Sequence, residues 1–135
     1  MDYLNLGINA IAVNDKKQAI FPWKIYQTNK ITHEEFDRQM SDSRACGIAI
    51  ICGAISGGLE VIDFDLKYAT RDIYKEVLQA VPKYIYDKIQ VHSTKSSGKH
   101  WLYRCEVIEG NQKLAERHPT AEEQKSNPHI KNYCF

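Results

Sequence analysis

The stretch Leu59-Glu60-Val61-Ile62-Asp63-Phe64-Asp65, entered from Ser56-Gly57-Gly58, constrains the fold more than any other in the chain. An apolar run of this length behind small residues reads as a strand, and in a strand side chains at i and i+2 point the same way. Asp63 and Asp65 are therefore expected side by side on one face, with Ile62 and Phe64 packed on the other. Two like charges held that close repel. A hard divalent cation that prefers oxygen, Mg²⁺ or Mn²⁺, is the usual compensation. The competing reading is a strand that simply ends in a turn, where Asp is common.

A second feature lies downstream. Residues 89–93 read as a short strand, Thr94-Lys95-Ser96-Ser97-Gly98-Lys99 as a tight loop, and residues 100–105 as an alternating outgoing strand. Small residues let backbone N–H groups approach an anion, Lys95 and Lys99 add charge, and His100 opens the second strand where its ring could reach a phosphate. A polar turn with solvated lysines is the alternative. Trp101 and Tyr103 alternate with His100, Leu102 and Arg104, so they are expected to pack beneath the sheet rather than stack on bases. The chain carries 18 Lys plus Arg against 17 Asp plus Glu, which leaves no overall electrostatic footprint for nucleic acid. Locally, Lys83, Lys88, Lys95, Lys99 and Arg104 face only Asp87, a patch that could hold a triphosphate or a template backbone, or be solvated lysines.

The order Gly53-Ala54-Ile55-Ser56-Gly57-Gly58-Leu59-Glu60-Val61-Ile62-Asp63-Phe64-Asp65-Leu66-Lys67, then Thr94 to His100, resembles the bifunctional primase-polymerase (Prim-Pol) domain of the archaeo-eukaryotic primase superfamily. The upstream segment Lys16-Lys17-Gln18-Ala19-Ile20-Phe21-Pro22-Trp23-Lys24-Ile25-Tyr26-Gln27 is similar to that family's loop of lysine, proline and tryptophan, so the likeness spans residues 13 to 105. The resemblance implies DNA replication by metal-dependent nucleotidyl transfer, primer synthesis or DNA polymerisation. It also implies a place at the N-terminus of a plasmid, phage or mobile-element replication protein, with a helicase domain possible in the same full-length chain. Under it, Asp63 and Asp65 match the acidic pair that binds catalytic Mg²⁺ or Mn²⁺, and His100 the histidine that contacts the incoming nucleotide's phosphates. Lys95, Ser97, Gly98 and Lys99 then fall in the nucleotide-binding loop, and Lys67 is a further candidate for phosphate contact. Nucleoside triphosphates and a DNA template or primer are the implied partners.

Two departures stand out. Ser97 occupies a position where the family more often has a second glycine. The family's third acidic residue has no match, because Glu106, Glu109 and Glu116 follow His100 too soon or in the wrong context. Residues 1–135 are accordingly expected to form a single primase-polymerase-like domain, C-terminally incomplete and inactive in primer extension by itself. Two other readings stay open: a non-catalytic nucleic-acid- or helicase-binding module of a replication protein, and a fragment of a metal-dependent glycosyltransferase, where an Asp-x-Asp also follows an apolar strand.

At 135 residues, 43% hydrophobic and 26% charged, the chain fits one globular domain. No apolar run is long enough to span a bilayer and the N-terminus lacks the basic start of a secretion signal, so the expectation is a cytoplasmic protein without a membrane partner. Cys46, Cys52, Cys105 and Cys134 form no Cys-x-x-Cys pair and read as buried thiols, with a mixed zinc site using His118 or His129 as the alternative. Strands are expected at 7–13, 47–52 and 59–65, the last two forming a hairpin. A helix at 34–40 carries a capping box from Thr32 and Glu35. A second, at 71–81, is capped by Thr70, stopped by Pro82, and buries Ile73, Tyr74, Val77 and Leu78. A polar loop with one helical turn from Thr120 precedes a last strand. The expected fold is α+β: a mixed, largely antiparallel sheet with two main helices packed on one face, and Asp63, Asp65 and His100 converging on the other.

Overall fold

Strands β1 (Asn9–Val13) and β2 (Gly47–Ile51) run antiparallel, with Asn9 opposite Ile51 and Ile11 opposite Ala49. They belong to a computed structural model that describes residues 2–94 and 97–134, and the chain divides into two compact units. The first comprises residues 1–60 and 104–108, the second residues 61–103 and 109–135. The class is α+β, as expected, but the strands form three small sheets rather than one.

In the first unit, helix α1 (His33–Met40) begins at the anticipated capping box. The Thr32 hydroxyl accepts the Glu35 N–H and the Glu35 carboxylate accepts the Thr32 N–H. The Thr32 N–H foremost, and the Thr32 hydroxyl donating at 3.2 Å, hold the Glu35 carboxyl below its usual range. The core is Ile11, Tyr26, Ile31 and Ile51, with Phe36 of α1 and Ala49 packed against it. Two buried polar side chains tie it together. The Asn9 amide donates to the carbonyls of Tyr26 (2.7 Å) and Asn29 (2.8 Å) and its oxygen accepts the Ile31 N–H (3.1 Å). Gln39, 3% exposed, accepts the Ala12 N–H at 3.1 Å. Each satisfies backbone groups that would otherwise be buried without a hydrogen bond.

The hairpin expected between 47–52 and 59–65 does not form. β2 pairs with β1, and only an isolated bridge joins Gly53 to Leu59. The residues between them turn too sharply for a ladder: a 3₁₀ turn at Ala54–Ser56 leads into Gly57 and Gly58, both at positive φ. Arg104 locks this turn by donating to the carbonyls of Ser56 (2.6 Å) and Gly57 (2.8 Å), and a Cβ at Gly58 would collide with the Cys105 carbonyl.

In the second unit the sheet order is β3 (Leu59–Phe64), β5 (Lys99–Arg104), β4 (Gln90–Ser93), with β3 belonging to this unit from Val61 onward. β4 and β5 form the anticipated hairpin, with His92 opposite His100 and Val91 opposite Trp101. Trp101 is fully buried, its ring 5.1 Å from Phe64, 5.5 Å from Tyr86 and 5.8 Å from Tyr74. It packs beneath the sheet, as its alternation with His100 requires. Helix α2 (Ile73–Ala80) starts two residues later than expected, because the Asp72 carboxylate rather than the Thr70 hydroxyl caps it, accepting the Lys75 N–H. Leu78 of the anticipated stripe is 37% exposed, whereas Ile73 is buried. Pro82 ends α2 and at once opens a one-turn helix, α3 (Lys83–Tyr86). Farther on, β6 (Glu116–Arg117) pairs with β7 (Tyr133–Cys134), and α4 (Ala121–Ser126) starts at a second capping box from Thr120 and Glu123.

The cysteines are not buried thiols. Cys46, Cys52 and Cys134 are exposed and Cys105 partly so, since three of them flank strand ends rather than fill strand interiors. No helix among the described residues is long and apolar enough to cross a membrane.

Candidate functional site

The site is built from the end of β3 and the β4–β5 hairpin. Phe64 is buried while Asp63 and Asp65 are exposed, which is the alternation a half-buried strand imposes. Asp63 is the penultimate residue of β3, and Asp65, just past it, stays extended (φ −86°, ψ 92°) before a 3₁₀ turn at Leu66–Tyr68. Across the sheet, the His100 Nε2 lies 3.2 Å from Asp63 Oδ1, within ion-pair distance. Two motifs separated by more than thirty residues of sequence thus meet on one face. Asp65 Oδ1 accepts the Lys67 N–H at 3.3 Å, so Lys67 touches the acidic pair through its backbone.

The loop between β4 and β5 closes on Thr94. Its N–H donates to the Gly98 carbonyl (3.0 Å), its carbonyl accepts the Ser97 N–H (3.2 Å), and its hydroxyl accepts the Gly98 N–H (2.9 Å). Ser97 sits at φ 66°, the left-handed region that favours glycine, which gives the departure at this position a physical meaning. Gly98 is required for a different reason: a Cβ there would lie 2.5 Å from the Phe64 carbonyl oxygen. The loop therefore rests directly on the end of the strand that carries the acidic pair. The amides of Ser97 and Gly98 are turned inward to Thr94, so it is the side-chain face and not these two N–H groups that the hairpin presents. Lys95 lies outside the described residues.

Lys99 and His100 are neighbours in sequence and diverge in space. Lys99 Nζ donates to Ser93 Oγ at 2.7 Å on the strand face opposite His100, the consequence of strand alternation. The basic patch read from the sequence is also less open than its composition suggests: Lys83 pairs with Asp87 at 2.7 Å, and Arg104 is engaged by backbone carbonyls. Glu116, one of the acids considered as a third ligand, pairs with Lys113 at 3.6 Å. The first unit holds an open cleft of about 760 Å³ between β2 and the residues Lys17, Trp23 and Gln27, and none of the expected site residues line it.

Sequence reasoning missed Thr94 and His92. Thr94 organises the loop, and the small hydroxyl residue at the end of a strand was its only signal. His92 stands opposite His100, which follows once the hairpin is registered on its five-residue loop.

Among the described residues no group of three or more His, Cys, Asp or Glu side chains is gathered to hold a metal. The donor set present nevertheless suits a hard cation. Asp63 and Asp65 are exposed carboxylates, and among the described residues each has only Oδ1 engaged, by His100 and by the Lys67 N–H, leaving an oxygen for a ligand.

No curated protein and no solved structure matches the chain. The family model for the bifunctional DNA primase/polymerase N-terminal domain matches residues 1–130. With nearly its whole length matched, the chain belongs to the bifunctional DNA primase/polymerase N-terminal domain family.

Proposed function

We propose that this chain, whose family places it in replication-associated primer synthesis or polymerisation with nucleotide and DNA as ligands, contributes Asp63, Asp65 and His100 to metal-dependent nucleotidyl transfer as the N-terminal part of a replication protein. The observation that carries the reading is the 3.2 Å contact between Asp63 and His100, which joins the metal-type motif to the phosphate-type motif. Asp63 and Asp65 would hold Mg²⁺ or Mn²⁺ through their remaining oxygens. A divalent cation held there neutralises triphosphate charge and makes a primer 3′-hydroxyl a better nucleophile. His100, its ring oriented by Asp63, donates to a phosphate oxygen of the incoming nucleotide. Ser97 and Gly98 shape the turn that sets His100 beside β3, and Lys95 and Lys67 add positive charge. Little covalent help is needed, because phosphoryl transfer depends chiefly on positioning and charge. We place the chain, as one domain, in a cytoplasmic replication protein of a plasmid, phage or other mobile element, with a helicase domain as a companion in the full-length protein.

Calorimetric titration tests this. ATP with Mg²⁺ should bind the wild-type chain, and His100→Ala should weaken it at least tenfold while leaving adenosine binding and thermal unfolding unchanged. Equal binding of ATP by wild type and His100→Ala would remove the phosphate role.

A further inference from the structure

We propose that His92 is a second imidazole contact for the polyphosphate, extending the site from two strands to three. The inference rests on the reading of Asp63 and His100 given above. The sheet order β3–β5–β4 and the direct pairing of His92 with His100 put Asp63, His100 and His92 in a row across one face. Residues directly opposite in an antiparallel pair project to the same side, with Cβ atoms about 5 Å apart. The burial pattern agrees: Asp63 and His92 are exposed and His100 is half-exposed, while Phe64 and Trp101 on the opposite face are buried.

The two imidazoles differ in their surroundings. His100 lies within ion-pair distance of Asp63, whereas among the described residues no hydrogen bond or ion pair engages the His92 side chain. Lys99, next to His100 on β5, is tied to Ser93 on the other face. His92 is therefore the side chain on this face of β4 best able to donate to an anion lying beside His100. From β3 to β4 is two inter-strand spacings, about 10 Å, a span over which a cation on the acidic pair and a polyphosphate chain could lie in line.

The probe is inorganic tripolyphosphate with Mg²⁺, which removes base and sugar from the measurement. His92→Ala should weaken tripolyphosphate binding about fivefold to tenfold, with thermal unfolding unchanged because the side chain is exposed. His92→Gln, which keeps an N–H donor, should recover part of the loss. In the wild-type chain, tripolyphosphate should shift the His92 ring resonances and adenosine should not. If His100→Ala weakens binding but His92→Ala does not, the three-strand site is wrong and the role of His100 stands. If neither variant changes tripolyphosphate binding, the phosphate face itself is wrong, and the proposal falls with it.

Discussion

Gly98→Ala is the substitution that most cleanly separates the geometry of the loop from its chemistry. The backbone at Gly98 lies outside the left-handed region, so alanine is conformationally acceptable there, and by itself would stabilise by up to about 1 kcal/mol through the unfolded state. Against that stands the new Cβ, 2.5 Å from the Phe64 carbonyl oxygen and 3.0 Å from Thr94 Oγ1. The first obstacle is backbone and cannot swing away, so the cost should lie near the top of the overpacking range, about 3 kcal/mol. The net is about 2 kcal/mol of destabilisation, or roughly 8 °C in Tm at about 4 °C per kcal/mol for a domain of this size. Relief by displacement would lift the loop off the end of β3 and pull His100 from Asp63, so Mg²⁺-ATP binding should fall with stability. Ser97→Gly is the matched control. It removes a left-handed serine at about 1 to 2 kcal/mol but adds unfolded-state freedom of about 0.4 to 1 kcal/mol, leaving stability unchanged or raised by up to about 1.6 kcal/mol. Thermal unfolding and ATP titration of both variants are the assays. A Gly98→Ala protein with wild-type Tm and wild-type affinity would refute the reasoning.

Other consequences follow from packing and charge. Trp101→Ala should cost about 3 to 5 kcal/mol in urea unfolding. Trp101→Phe should cost only about 1 kcal/mol, because among the described residues the buried indole N–H has no hydrogen-bond partner to lose; equal losses would argue against this. The Arg117 guanidinium, 2.7 Å away, and the Thr120 N–H hold the Glu123 carboxyl down at about 2, against an ordinary 4.5. A depressed folded-state value means that the pairing stabilises fully above pH 4.5 and is lost as pH falls through about 2. The Glu123 carboxyl-carbon shift should titrate near 2 in the native chain and move toward 4.5 in Arg117→Ala; a native midpoint at 4.5 would contradict the pairing.

What could be read from the sequence was local. The capping box at Thr32 and Glu35 and the β4–β5 hairpin depend on residues a few positions apart, and both form as anticipated. The alternation of Trp101 with His100 likewise needed only the strand period. Pairing between distant strands was not legible: nothing in residues 47–52 distinguishes β1 from β3 as the neighbour, and the Gly53–Gly58 turn with its Arg104 lock decided it. The burial of Asn9 and Gln39 was hidden for the same reason, since their hydrogen-bond partners come from elements thirteen or more residues away. At the site, the types Asp63, Asp65 and His100 could be chosen from sequence, whereas the outward swing of Lys99 and the inward amides of the loop needed the register and the turn closed on Thr94.

The central claim, that the end of β3 and the hairpin form one metal-nucleotide face, is tested most directly by Mn²⁺ relaxation broadening of backbone amides in the presence of ATP. Broadening should centre on residues 60–68 and 97–101, and it should disappear from both segments together in the Asp63→Asn, Asp65→Asn double variant. Broadening centred elsewhere, or surviving that double substitution unchanged, would contradict the account.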